Sequence, residues 1–445
     1  MRLRGLSEYR EMVVLALPLL LGQLGQVVLS FADSAMVGDY GVPDLAAASF
    51  CINLFNLPLI FLMGYSYGVL PALGRHFRVP AELCRVMRAG MVNILWVSVG
   101  VALVMALPLL FLDLFHQPEA LYPLIIPYYW LMLSSLPVVG IFNVLKQFFD
   151  VRGKTWIPMV VLLVGNALNI IGNILLIFGK CGCPEWGLFG AGVSTVFARF
   201  LEGAALYLLY RFWERRVPIG EKKVVVNIFR PHELLRNGIG MGLQLGLETA
   251  MFSISVIFVG WMGEIALAAH HIAVTVQTLG FMTYYGIGGA VSIRVSRAIG
   301  QGQPKRARLA AAVGLRLLLG CAIVIAALMG FFRETIATLF NTNPEVVALA
   351  GILLLVGIAY QPADALQVCY SNALRGVGDA KGLAYTAFLA YFVLGLPIAY
   401  FLCTYTSLGA LGVWLGYPVG LLSAGLAYAW RFYRRPLSPN PQTVV

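Results

Sequence analysis

Two stretches decide how this chain folds: VGDYGVPDLAAASFCINLFNLPLIFLMGYSYGVLPALGR, Val37 to Arg75, and VGWMGEIALAAHHIAVTVQTLGFMTYYGIGGAVSIRVSR, Val259 to Arg297. Sliding the sequence along itself by 222 residues, so that Val37 meets Val259, lays the first on the second without a gap. Ten residues coincide; Gly38, Gly41, Ala46, Ala47, Gly64 and Arg75 meet Gly260, Gly263, Ala268, Ala269, Gly286 and Arg297 among them. Small residues at helical spacing are common wherever helices approach closely in lipid, and composition alone explains about two or three such matches. It does not explain ten at one offset that include an arginine. The match reaches the ends of the halves as well: Arg152-Gly153 answers to Arg375-Gly376, and Gly187-x-x-Gly190 to Gly409-x-x-Gly412. The chain is an internal duplication.

Only 11% of the residues are charged and 60% are hydrophobic, whereas a soluble domain carries about 25% charged residues. A membrane class follows. A helix needs about 20 apolar residues to cross a bilayer. Twelve runs of that kind fill the chain: 12–37, 46–73, 90–112, 122–148, 156–179, 187–210, 234–261, 266–293, 310–332, 346–374, 383–405 and 409–430. Six per half with the same in–out sense predict an all-α integral membrane protein of two six-helix lobes. The lobes are expected to be related by pseudo-two-fold symmetry about an axis along the membrane normal. The expected division is an N-lobe over 1–211, a cytoplasmic linker over 212–233, a C-lobe over 234–435 and a cytoplasmic tail over 436–445. The linker, FWERRVPIGEKKVVVNIFRPHE, is the longest and most charged loop, with room for a helix along the membrane surface. Two lobes joined this way suit a central cavity and a rocking motion better than a fixed pore.

The net charge of +11 suggests an acidic partner at first, but its distribution excludes nucleic acid. With Arg2, Arg4 and Arg10 placed in the cytoplasm, the loops on that side hold 28 of the 31 lysines and arginines. Lys180 and Arg333 fall on the opposite side, and Arg199 falls within a span. This is the positive-inside pattern, with both termini cytoplasmic. No cleavable signal peptide is expected, because the first apolar run lacks a small-residue cleavage site and is long enough to stay. Cys51, Cys84, Cys321, Cys369 and Cys403 are scattered and read as small apolar packing residues. Cys181 and Cys183, in the external loop GKCGCPEWG, read as a loop pairing or two free thiols, since two thiols alone make a weak metal site.

Few groups inside the spans ionise: Asp33, Glu248, Asp364 and the pair Arg199/Glu202. An acid at a helix centre costs about 2.5–3.5 kcal/mol on insertion scales, so each needs a reason. Arg199 and Glu202, three residues apart, can neutralise each other. Asp33, Glu248 and Asp364 have no cation near them in sequence. Such a carboxylate can hold a proton or bind a small cation, which is the chemistry of ion-coupled transport, or it can simply bond a carbonyl or hydroxyl as a protonated acid. Tyr360 stands one turn before Asp364, where its ring can attract a cation or its hydroxyl can donate to the carboxylate. Pro18 and Pro362 each free a backbone carbonyl a turn earlier, as flex points or as kinks fitted to neighbouring helices. Asn166, Asn169 and Asn173 form one polar stripe, equally suited to ligands or to helix–helix hydrogen bonds.

Two tempting signals fail. His270-His271 lacks an H-E-x-x-H context, and Arg152-Gly153-Lys154-Thr155 lacks the upstream glycines of a P-loop. No Ser/His/Asp constellation or nucleotide fold is present, and nothing argues for an enzyme, an organic cofactor or a transition metal.

The six-plus-six plan, PLLLGQ, FADSAMVGDYG and LAAAS in the first half, and LAAHHIA, YQPADALQVCYSNALRGVGDAKG and LGALGVWLG in the second, resemble the multidrug and toxic compound extrusion (MATE) transporters over about Pro18 to Arg431. An acid in span 7 with one in span 10 looks like the NorM-type branch. The resemblance implies that Glu248 and Asp364, with Tyr360, form a C-lobe cation site. It implies an N-lobe cation or proton site of Asp33, Asn169, Asn173 and Thr195. At the 222-residue offset Asp33 faces Ser255 and Glu248 faces Gln26, so the halves keep their acids in different places. The expectation is a cation-coupled multidrug antiporter of the bacterial cytoplasmic membrane. It would work as a monomer and export amphipathic organic cations through an aromatic-lined cavity against Na⁺ or H⁺. A lipid-linked oligosaccharide flippase of the same superfamily is one alternative, although only Arg199 lies mid-span to meet a pyrophosphate. A channel or purely structural membrane protein is the other.

Overall fold

The computed structural model describes residues 2–115, 118–217 and 231–437. Most of the expected linker, and residues 438–445 of the tail, lie outside them. The described residues include 12 helices long and apolar enough to cross a membrane. They are α1 (Ser7–Tyr40), α2 (Val42–Arg75), α3 (Pro80–Asp113), α4 (Glu119–Val151), α5 (Trp156–Leu176) and α6 (Gly187–Arg215). The second half supplies α7 (His232–Gly260), α8 (Glu264–Gly300), α9 (Pro304–Phe340), α10 (Pro344–Val377), α11 (Ala380–Tyr405) and α12 (Ala410–Arg434). Large apolar side chains such as Phe31, Phe331 and Leu339 stand 77%, 86% and 80% exposed. In water such surface would be costly; in lipid it is the expected exterior.

Local sequence sets the helix ends. A proline in the first turn opens α2, α3, α9 and α10, where its missing N–H costs nothing and its fixed φ suits a helix. Asn343 caps α10 by accepting from the Glu345 amide at 2.9 Å. Gly378, with φ 87°, closes it in the left-handed conformation that favours glycine. α11 is not regular throughout: Leu389–Gly395 forms a π-helical turn just before Pro397. Such widened turns recur at functional positions.

The contacts divide the chain into two compact units, one of Leu21–Gly242 and one of Met1–Leu20 with Leu243–Val445. The divisions fall inside α1 and α7 rather than in the linker, so each of these helices contributes to both units. In the unit of Leu21–Gly242, the N-terminal turns of α7 pack on α2. A Cβ on Gly68 would collide with the backbone of Gly238, and one on Gly238 would come within 2.6 Å of the Tyr65 ring. In the other unit the N-terminal turns of α1 pack on α8. A Cβ on Gly286 would lie 2.8 Å from the Ala16 carbonyl, and Arg294 donates to the Glu8 carbonyl at 2.8 Å and pairs with the Glu8 carboxylate. Close approach of backbones through glycine is how helices gain packing energy in lipid. Each unit also has a central helix: α4 packs on α2, α3 and α6, while α10 packs on α8, α9 and α12. Both are half-buried along their membrane windows, and α10 carries the stretch on which the site is built.

Candidate functional site

Six polar residues of α10, Gln361, Asp364, Gln367, Ser371, Asn372 and Arg375, recur every three or four positions and are all buried. That spacing places them on one helix face, turned toward α7, α8 and α11. Asp364 is 1% exposed, and its Oδ2 has no hydrogen-bond partner among the described residues. Its charged neighbour is Glu248 of α7, which acts on it electrostatically. Tyr360 lies within electrostatic reach of both acids. The structure therefore brings Glu248, Asp364 and Tyr360 together. Tyr360 makes no hydrogen bond to Asp364; its ring instead meets Tyr417 of α12 edge-on at 6.5 Å.

Around these three runs a chain of amides. Gln244 Nε2 donates to Glu248 Oε2 at 2.8 Å, and Gln367 Nε2 donates to the same oxygen at 3.0 Å. Gln367 Nε2 also donates to the Tyr391 hydroxyl at 2.9 Å, and Tyr391 sits in the π-helical turn of α11. Arg375 donates twice to Gln244 Oε1, at 3.2 and 2.6 Å, and once to Asn372 Oδ1 at 3.3 Å. On the α8 side, Tyr284 donates to Gln361, and Gln361 donates to Gln277 and to Met329 Sδ.

This corrects the reading of Glu248 as an acid without an internal cation. Arg375, counted by position among the cytoplasmic-loop charges, is buried in the last turns of α10 and acts electrostatically on Glu248. Of the three acids, Asp364 alone has a carboxylate rather than an arginine as its electrostatic partner.

The second cluster lies in the unit of Leu21–Gly242. Asn173 Nδ2 donates to Asp33 Oδ1 at 2.6 Å and to Asn169 Oδ1 at 3.2 Å. Asn169 Nδ2 stands 3.1 Å from Thr195 Oγ1. Turning the Asn169 amide over lets its nitrogen donate to Asp33 at 2.9 Å while its oxygen accepts from the Thr195 hydroxyl at 3.1 Å. Asp33, Asn169, Asn173 and Thr195 thus form one hydrogen-bonded group joining α1, α5 and α6. The pairing expected of Arg199 and Glu202 does not form. Arg199 donates to Ser135 at 2.7 Å, lies 5.0 Å from the Phe55 ring centre, and reaches Tyr128, Glu202 and Asp33 only electrostatically. Asn166, the first member of the stripe, is buried with both amide atoms unpaired.

The remaining candidates resolve simply. Pro18 and Pro362 both lie inside continuous helices. His270 is buried and accepts from Trp414 Nε1 at 3.0 Å. Cys181 and Cys183 are free thiols, and no group of three or more His, Cys, Asp or Glu side chains that could hold a metal ion occurs among the described residues. Sequence reading missed Gln244, Gln277, Tyr284, Gln361, Gln367 and Tyr391. The i, i+3, i+4 recurrence of polar residues through α10 was the signal available for Gln361, Gln367 and Arg375.

A family model described as MatE matches residues 18–175 and 241–401. The multidrug resistance protein NorM of Vibrio cholerae serotype O1 is 32% identical over 443 residues, covering 96% of this chain and 95% of that protein. Among solved structures, a MATE protein in a bent conformation superposes with a TM-score of 0.83 at 20% identity, over 96% of this chain and 97% of that one. The eukaryotic MATE transporter AtDTX14 gives 0.83 at 19%, over 97% of each.

Proposed function

The chain belongs to the MatE family, and from that membership we propose that it is a cation-coupled multidrug antiporter. It exports amphipathic organic cations by alternating access, in exchange for Na⁺ or H⁺ entering the cell. It works as a monomer in the bacterial cytoplasmic membrane, with both termini on the cytoplasmic side. The name of the Vibrio cholerae relative, a multidrug resistance protein, supports multidrug export, and the acids within the spans support the coupling and a cationic substrate.

The observation that carries the reading is Asp364: a carboxylate 1% exposed, with an unpaired oxygen and a second acid as its charged neighbour. A lone buried charge of this kind is too costly to keep, so it is ionised when a cation stands beside it and protonated otherwise. A coupling ion and an organic cation that answer to the same charge exclude each other. Exclusion at one site, opened alternately to the two faces of the membrane, is sufficient for exchange. Asp33 and its amides provide a second acid at which a proton or cation can be held.

Reconstitution tests this directly. In liposomes with a Na⁺ gradient or a pH gradient imposed separately, wild-type protein moves a fluorescent lipophilic cation against its concentration difference. Asp364→Asn folds but does not. Export by that variant at the wild-type rate would sink the mechanism. Response to Na⁺ alone assigns coupling to Glu248 and Asp364, and response to pH alone shifts it toward Asp33.

A further inference from the structure

We propose that Gln367 is a ligand of the coupling cation, its amide oxygen completing a cage with the carboxylates of Glu248 and Asp364; the inference rests on reading those two acids as the coupling site. Gln367 is 1% exposed and stands three residues beyond Asp364, so the two side chains leave α10 on the same face.

The orientation of the amide is that of a chain of hydrogen bonds that starts at Arg375. An arginine side chain can only donate, so the two bonds from Arg375 fix Gln244 with its oxygen toward the guanidinium. Gln244 therefore presents its nitrogen to Glu248, and Glu248 Oε2 accepts. Gln367 likewise presents its nitrogen, to Glu248 and to Tyr391 together. What is left is Gln367 Oε1, which is buried and has no hydrogen-bond partner among the described residues. Asp364 Oδ2 is in the same condition.

Two side chains on one face of α10 thus each keep a buried oxygen without a partner. Buried acceptors are rarely left in that state, because the loss of hydration is not made good. Gln244 and Arg375 are committed to the chain described, and Tyr284 donates to Gln361; the Tyr360 hydroxyl and a proton on Asp364 itself are the donors that compete with a cation. A partner able to satisfy both oxygens and Glu248 together is a small hard cation, which takes carboxylate and amide-carbonyl oxygens in mixed sets. A neutral amide oxygen adds coordination without adding charge, so the cation binds without a third buried acid.

The test is equilibrium binding of radioactive sodium to the purified full-length protein in detergent. Wild type is expected to bind saturably and Asp364→Asn not at all. Gln367→Met, of similar volume but with no oxygen, is expected to raise the half-saturating Na⁺ concentration about tenfold and to change the preference among Na⁺, Li⁺ and K⁺. A merely structural role for the amide would not alter that preference. Gln367→Asn, which keeps the amide but withdraws it by one methylene, serves if the methionine variant does not fold, and is expected to weaken binding in the same sense. Binding by Gln367→Met or Gln367→Asn within about twofold of wild type, with Asp364→Asn inactive, overturns the assignment of Gln367 and leaves the coupling site standing. Equal binding by wild type and Asp364→Asn, or no binding by wild type, overturns both.

Discussion

The two acid-bearing regions of this chain meet the cost of a buried carboxylate in opposite ways. Asp33 is held: Asn173 donates to it at 2.6 Å, Asn169 can do so at 2.9 Å, and Arg199 is within electrostatic reach. Asp364 is not held; its Oδ2 has no partner and its charged neighbour is another acid. The duplicated frame makes the contrast sharper. At the 222-residue offset Asn169 meets Tyr391 and Thr195 meets Tyr417, so tyrosines stand in one half where the other has an amide beside the acid and the hydroxyl bonded to that amide. A region satisfied from within is stable whether or not an ion visits. A region left with unpaired oxygens depends on what arrives.

The largest expected effect separates transport from stability. Asp364→Asn is expected to abolish gradient-driven export in liposomes while leaving the melting temperature of the purified protein unchanged or raised, since Oδ2 has no hydrogen bond to lose. Asp33→Asn is expected to do the reverse to stability. Both amides reach Oδ1, which asparagine keeps as a neutral oxygen in place of a charged one; the weaker bonds cost about 1 kcal/mol and lower the melting temperature. Thermal unfolding of both variants under one condition decides the matter. A common direction of shift would erase the distinction between the regions.

The next effect lies within a single helix. α7 crosses from one unit to the other, and its glycines differ accordingly. A Cβ at Gly238 would lie 2.6–2.8 Å from the ring of Tyr65, which is buried, whereas a Cβ at Gly246 would meet nothing within 4 Å. Gly238→Ala should therefore destabilise by about 1–3 kcal/mol through overpacking. Gly246→Ala should stabilise by about 0.5–1 kcal/mol through helix propensity alone. Equal effects from the two, read by thermal unfolding, would mean that the N-terminal turns of α7 are not tightly packed on α2.

Hydropathy and the internal offset were enough to place the twelve helices, because membrane spans declare themselves by length and the duplication by glycine positions. Glu248, Asp364 and Asp33 were legible for the same reason, being acids where acids are expensive. Arg375 was not. The end of an apolar run marks where charge begins, not whether that charge turns inward, and α10 continues through it to Val377. Gln367 stood in plain view within YQPADALQV, but a neutral amide in a span reads as a helix–helix bond. Its orientation depends on Glu248, on another helix far away in the sequence. The exchange of the first turns of α1 and α7 leaves no trace in composition, since both divisions fall in the middle of uniform apolar helices.

The smallest expected effect tests whether the units also share something. Each has one buried acid with two arginines: Glu214 with Arg88 at 2.7 Å and Arg211, and Asp379 with Arg435 at 2.8 Å and Arg431. Asp379 lies between α10 and α11, and its side chain also caps α11 by accepting from the Gly382 amide at 3.3 Å. Burial works against its charge, but Arg431 and Arg435 outweigh burial and hold its carboxyl below the ordinary carboxylate range. A depressed folded value means that the stabilisation is present above the unfolded value, about 3.9, and is lost as pH falls through the folded one. Because both arginines are 40% exposed, the ion pairs contribute about 1 kcal/mol. Asp379→Asn keeps the cap, since asparagine serves that position as well as aspartate, while it removes the charge and sets an amide nitrogen where Oδ2 now meets Arg431 and Arg435. Its melting temperature should lie below that of the wild type by a constant margin from neutral pH down to about 5, with the margin closing below about 4. A margin that persists into acid would assign the stabilisation to the cap, and the resemblance between the two clusters would then be one of arrangement without a shared electrostatic role.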